Sequence, residues 1–116
     1  MRWASLVIFV CLFGGCKSPN KIPDDIIGIV KMKLIVWDMI QAGALSENEF
    51  GKYPDTLKTK TIQMFQQVFA IHGITKDEFY KSYRYYEGHP DKNKILMDSV
   101  SAYATRQRLE LYKRRQ

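Results

Sequence analysis

The sequence predicts an all-α protein, a compact bundle of four helices that follows a cleaved lipoprotein signal peptide. Three observations carry that expectation. Apolar residues recur at three- and four-residue spacing through most of the chain, and no stretch alternates in the manner of a strand. Glycine and proline interrupt the pattern at Gly43, Pro54, Gly73 and from Gly88 to Pro90, which divides it into four segments. The chain opens with a charge, then an unbroken apolar run, then small residues, the order of an export leader.

Arg2 supplies the charge, and Leu6-Val-Ile-Phe-Val-Cys-Leu-Phe13 the apolar run. That run is too short for a permanent span, which needs roughly 20 apolar residues. The sequence after it, Phe13-Gly14-Gly15-Cys16, resembles the bacterial lipobox, with Phe13 where leucine is usual. The expected division is residues 1–15 as leader, 16–22 as a tether lipidated on Cys16, and 23–116 as the helical domain. A core helix over residues 5–13 would be expected to show a polar face, and none exists. A plain cleaved leader gives no reason for a cysteine directly after two glycines. Several acyl (palmitate-type) chains on Cys16 would hold the chain stably at a membrane, where one would hold it weakly. Some surface lipoproteins of the Bacteroidota carry an acidic run behind the cysteine. Here the first acids are Asp24 and Asp25, which favours the periplasmic side of the outer membrane over the cell surface.

The chain has 116 residues, enough for one small core beyond the leader and not for two. Its 18 Lys and Arg against 12 Asp and Glu give +6, concentrated at the end in Arg106, Arg108, Lys113, Arg114 and Arg115. The two cysteines, Cys11 and Cys16, both belong to export. No thiol remains for a disulfide, a thiolate zinc site or a cysteine nucleophile.

The first helix is expected over residues 23–42. Pro23 suits a first turn, Asp24 and Asp25 suit its positive dipole, and Gly43 is a stop. Ile26, Ile27, Val30, Leu34 and Trp37 make one apolar face, while Met32, Ile35, Val36 and Met39 carry apolar character round the other side. Only Lys31, Asp38 and Ala42 leave a narrow, less apolar stripe. A helix of this kind lies centrally in its bundle, or its extra face meets a partner. Residues 46–54 read as a loop.

The second helix, residues 55–72, buries Leu57, Thr61, Met64, Phe65, Val68, Phe69 and His72 on one side, and Gly73 ends it as a left-handed cap. The third, residues 76–87, opens with Thr75 and Glu78 at capping-box spacing and packs through Phe79, Tyr83 and Tyr86, with Gly88 as its stop. The last, residues 91–113, buries a stripe of Leu96, Val100, Tyr103, Gln107 and Leu111. Short joints at Gly73 and at Gly88 to Pro90 predict sharp turns and an antiparallel arrangement.

Chemistry-bearing constellations are few. His72 lacks a second ligand at helical spacing and reads as a C-terminal histidine facing the helix carbonyls, not as a metal ligand. Asp91-Lys92-Asn93 begins like a calcium loop, but Leu96 and Ala102 stand where its glycine and its terminal glutamate belong. Tyr80, Tyr83, Tyr85 and Tyr86 around Arg84 invite a base-stacking reading, yet their spacing is that of packing, and no nucleic acid is expected. Tyr80, Arg84 and Tyr85, with Arg106 and Arg108, are instead the candidate contacts for a protein partner, since tyrosine and arginine suit interfaces. The basic end reads either as a solvated terminus or as an attraction for anionic lipid or an acidic surface.

Asp38, the run Phe69-x-x-His-Gly-Ile-Thr-x-x-Glu-Phe79, then Ser82-x-x-Tyr85-Tyr86 and Pro90 together resemble a family of small Bacteroidota lipoproteins catalogued only as a domain of unknown function. The resemblance implies an exported helical lipoprotein, supplies no catalytic residue, and does not extend to residues 106–116. The resulting expectation is an outer-membrane-anchored, non-enzymatic binding or scaffold subunit of an envelope complex, with no cofactor and no metal. One alternative is an envelope enzyme, a cell-wall or glycan hydrolase, which needs two of Asp38, Glu78, Glu87, His72 and His89 brought together in a pocket. Another is a small-ligand carrier with an apolar cavity beside Trp37.

Overall fold

The computed structural model describes residues 21–116, so the leader and the expected lipid site at Cys16 lie outside the described residues. The chain forms four helices, α1 (Ile29–Phe50), α2 (Pro54–His72), α3 (Lys76–Gly88) and α4 (Pro90–Arg114). There is no strand among the described residues, so the protein is all-α as its periodicity predicts.

The start of α1 departs from expectation. Residues 22–28 form a turn and an extended step: the Ile26 N–H donates to the Pro23 carbonyl at 3.1 Å, and Gly28 caps α1 with φ −65° and ψ 161°. The aspartates do not sit in a first helical turn. Asp25 instead meets Lys81 Nζ at 2.6 Å, and that ammonium holds its carboxyl below the usual carboxylate range. The turn wins because it lets Ile22, Ile26 and Ile27 pack against the core. It also pairs both backbone groups of Ile27 with α3: its N–H donates to Ser82 Oγ at 2.9 Å and its carbonyl accepts from Tyr86 OH at 2.7 Å.

The other end of α1 also differs, since the helix runs through Gly43 and ends at Phe50. A mid-helix glycine costs about 1 kcal/mol relative to alanine. Burial of Ala42 just before it and of Ser46 beyond it outweighs that cost, with Ser46 wholly enclosed and its Oγ 2.9 Å from Met64 Sδ. The two apolar sides of α1 do not share the burial equally. Met32, Ile35, Ala42 and Ser46 are buried, whereas Val30 is 74% exposed. An α1 that is apolar nearly all round offers little contrast from which to choose a face.

α2 follows its pattern. Val68 and Phe69 are buried, Leu57, Thr61, Met64, Phe65 and His72 are half-buried, and Gln63, Gln66, Gln67 and Ala70 face outward. Gly73 takes φ 65° and closes the helix, with its N–H and that of Ile74 both reaching the Phe69 carbonyl. Thr75 then caps α3 by accepting the Glu78 N–H at 3.1 Å. Gly88 is still helical and His89 ends α3. Phe79 and Tyr86 are core residues as expected, but Tyr83 is 44% exposed. In α4, Leu96 and Val100 are buried and Tyr103 and Gln107 half-buried, while Leu111 is 55% exposed because none of the described residues covers that end of the helix.

α1 and α2 run antiparallel, joined by Asp38 with His72 and by Ser46 with Met64. α3 brings the chain back towards Ile27, so α4 starts beside the head of α1. It then passes Lys33 and Trp37 with Tyr103, in the same sense as α1 and not against it. α1 packs on α2 and α4, and α3 on α4 and α2, but α1 and α3 make no close backbone approach.

Tyr86 lets the Ile27 anchor be tested. Burial pushes its phenol up to about 12 from the ordinary 10.0, with Tyr85 a smaller contributor. Folding therefore favours the neutral phenol, and its contribution is complete below pH 10 and is lost as pH rises towards 12. Tyr86→Phe should cost about 1–2 kcal/mol at neutral pH by deleting one buried hydrogen bond. The difference from wild type should narrow and then reverse above pH 10, by an amount on the order of 2 kcal/mol. Denaturant melts of both proteins across that range check this, and a pH-independent difference contradicts it.

Candidate functional site

The gap between α1 and α3 is an apolar groove of about 250 Å³. Met32, Val36, Met39 and Ile40 form the α1 wall, and Phe79, Tyr83 and Tyr86 the α3 wall. Phe65 of α2 and Asn93, Leu96 and Met97 of α4 complete it. Three rim residues on three helices stay open to solvent: Ile40 at 50%, Tyr83 at 44% and Met97 at 42% exposure.

The polar groups of this lining are largely engaged elsewhere. Tyr86 OH donates to Ile27, and the neighbouring Glu87 carboxylate holds the Tyr83 phenol above its usual range. Asn93 is the remaining polar side chain in the wall. The groove can therefore take hydrocarbon or the apolar face of a helix, whose backbone satisfies itself. It cannot serve an extended peptide that needs main-chain partners. Three methionines in the lining give it an adaptable surface.

The sequence-predicted contact residues do not form one patch. Tyr80, 37% exposed, flanks Phe79 edge-on and borders a shallow recess with Ile62, Phe65, Gln66, Phe69 and Lys76. Arg84 is exposed on α3, while Tyr85 packs against the core and stacks on His89 with ring centroids 4.1 Å apart. Arg106 is on α4, where it and Lys33 approach the Tyr103 ring at 5.9 and 5.5 Å. Arg108 is exposed further along α4. Met32, Val36, Met39, Ile40 and Met97 escaped selection because the groove arises only when α3 is held away from α1. Their one signal was the surplus apolar surface of α1.

His72 does not face the carbonyls of its own helix end. Its Nε2 lies 2.7 Å from Asp38 Oδ2, so the pair links α2 to α1, with His72 14% and Asp38 43% exposed. This unites two of the residues an enzyme would need, but neither lines the groove. Among the described residues no group of three or more His, Cys, Asp or Glu is arranged to hold a metal ion. No described helix is long and apolar enough to cross a membrane. The apolar cavity exists, but Trp37 does not line it; Trp37 packs edge-on against Tyr103 at 6.0 Å.

A family model described as a domain of unknown function (DUF4296) matches residues 23–110. The match takes in Arg106 and Arg108, which the sequence resemblance had left aside. No curated protein and no solved structure gives a significant match.

A double-mutant cycle measures what the Asp38–His72 link contributes. With Asp38 partly in water, a coupling of about 1 kcal/mol between Asp38→Asn and His72→Ala is expected in denaturant melts at pH 7. Strictly additive losses contradict the contact.

Proposed function

The chain belongs to the DUF4296 family, and from that premise we propose that it is a non-enzymatic binding subunit of the bacterial envelope. Lipid on Cys16 holds it to the outer membrane, on the periplasmic side, and the groove between α1 and α3 receives an apolar helix face of a protein partner. The observation that carries this reading is the groove itself, which is apolar, half open, and rimmed by exposed Ile40, Tyr83 and Met97. Helix-in-groove recognition needs an apolar cleft into which side chains at three- and four-residue spacing can settle. The cleft lies along α3 and presents almost no unmet hydrogen-bonding group, which suits such an occupant. Tyr83 offers an amphipathic aromatic body at the rim, the type of residue that dominates binding energy at interfaces.

The small-ligand reading retains one supporting observation, the volume. A 150 Å³ apolar cavity holds a benzene-sized molecule, and this groove is larger at about 250 Å³. It lies just below the usual range for drug-sized ligands. The hydrolase reading draws on Asp38 and His72 alone, and neither of them lines the groove.

Affinity purification from mild-detergent extracts tests the proposal. The wild-type chain should retain a stoichiometric protein partner, and Ile40→Asp with Met97→Asp should release it at least tenfold, because a carboxylate in the cleft must be desolvated on docking. Both substitutions sit at half-exposed positions, so thermal melts should stay close to wild type. Cys16→Ala should move the chain out of the outer-membrane fraction. Retention of the partner by the doubly charged variant, or a wild-type chain that purifies alone, overturns the reading.

A further inference from the structure

The last turns of α4 take no part in the groove, and they carry a feature of their own. Leu109 and Leu111 are each 55% exposed and Tyr112 is 64% exposed. The cations among them, Arg106, Arg108, Lys113, Arg114 and Arg115, are accompanied by one acid, Glu110, which lies 3.7 Å from Lys113. Among the described residues no carboxylate pairs with Arg106, Arg108, Arg114 or Arg115. Arg108, Leu111, Tyr112 and Arg115 stand at i, i+3, i+4 and i+7, and so share one strip of the helix. They line a shallow depression formed by α4 alone.

We propose that this strip lies on an anionic bilayer surface, with Leu111 and Tyr112 seated at the headgroup boundary and Arg108 and Arg115 against lipid phosphates. An aliphatic and a phenol flanked by arginines is the composition of an interfacial contact, in which long cationic side chains lay their stems on apolar ground and keep their heads at the phosphate level. The depression has no second wall, so it offers no shaped receptor for a protein side chain. A deformable lipid surface needs none. Charge complementarity sets the lipid class: each Lys or Arg near an anionic leaflet adds attraction that a neutral bilayer does not supply.

The position of the strip gives the contact a consequence. α4 begins beside Ile27, near where the described chain enters, and its 25 residues carry the basic end about 37 Å away. A chain tethered at its N-terminus and seated at the far end of α4 lies along the membrane rather than standing on it, which fixes which face of the domain the partner meets. This orientation rests on the proposed anchor; the affinity of the strip for anionic lipid does not.

The test uses the full chain and its Tyr112→Trp variant, mixed with vesicles of phosphatidylcholine alone or of phosphatidylcholine with phosphatidylglycerol, each containing a brominated lipid. The expected result is strong quenching of the added indole, over the background of the wild-type chain, in phosphatidylglycerol vesicles only. Quenching should fade in molar salt, where the Debye length falls to about 3 Å. Arg108→Gln with Arg115→Gln in the same background should weaken it about thirtyfold. Equal quenching on both lipids, or none on either, overturns the proposal. A response to polyglutamate with none to vesicles overturns it in favour of an acidic protein surface. Flotation separates the two ideas: failed anchoring is read as loss of co-flotation with neutral vesicles, whereas failure of the strip leaves flotation intact and quenching absent.

Discussion

Ile27 is the residue on which the arrangement turns. Its N–H and its carbonyl are both taken by α3, through Ser82 and Tyr86, before α1 has begun. A pair of part-buried hydrogen bonds from one residue fixes position and orientation together, because breaking either leaves a polar group facing a largely apolar surround. The segment of residues 22–28 thereby acts as a spacer. It fastens α3 to the head of α1 while keeping the two helices from closing on each other, and the groove is the space left over. Ser82 is wholly buried and Tyr86 only 1% exposed, so the α3 side of both bonds is shielded from water.

This constraint explains why the groove stays open although its walls are apolar. α1 is committed on two sides, to α2 through Ser46 and Asp38 and to α4 through the Trp37–Tyr103 contact. α3 is held at both ends, by the Phe79–Phe69 ring contact and by Tyr86. Collapse would require one of these to give way. The exposed Ile40, Tyr83 and Met97 are then a consequence of the scaffold.

Much of the fold was legible because local chemistry and tertiary packing agree at the joints. Gly73, Thr75 and Pro90 each demand one backbone state, and α2 displays its inner face without ambiguity. α1 was misread at both ends. Pro23 with two aspartates is as good a turn as a helix start, and Gly43 is only a weak stop when Ala42 and Ser46 are being buried around it. The groove was legible only as surplus apolar surface on α1 and as a cavity expected beside Trp37, which does not line it. It depends on bonds between Ile27 and residues more than fifty positions away, Ser82 and Tyr86, through groups whose donors and acceptors carry no periodicity. Asp38 and His72 were each singled out in the sequence, but their pairing was not legible, because nothing within α1 or α2 fixes the register of one helix against the other.

The groove and the basic strip divide the surface by chemistry. One is apolar with its polar groups already engaged, and suits a self-satisfied helix. The other is cationic and shallow, and suits lipid phosphate. The strip is formed by α4 alone, whereas the groove depends on the spacer at Ile27, which sets the distance between α1 and α3. The amide of Ile27 reports on it directly. Hydrogen exchange resolved to that residue should show protection close to that of the Met32 and Val68 amides, although Ile27 lies outside every helix. Exchange at the rate of an open turn would mean that the spacer is not locked, and that the groove is not a fixed feature of the protein.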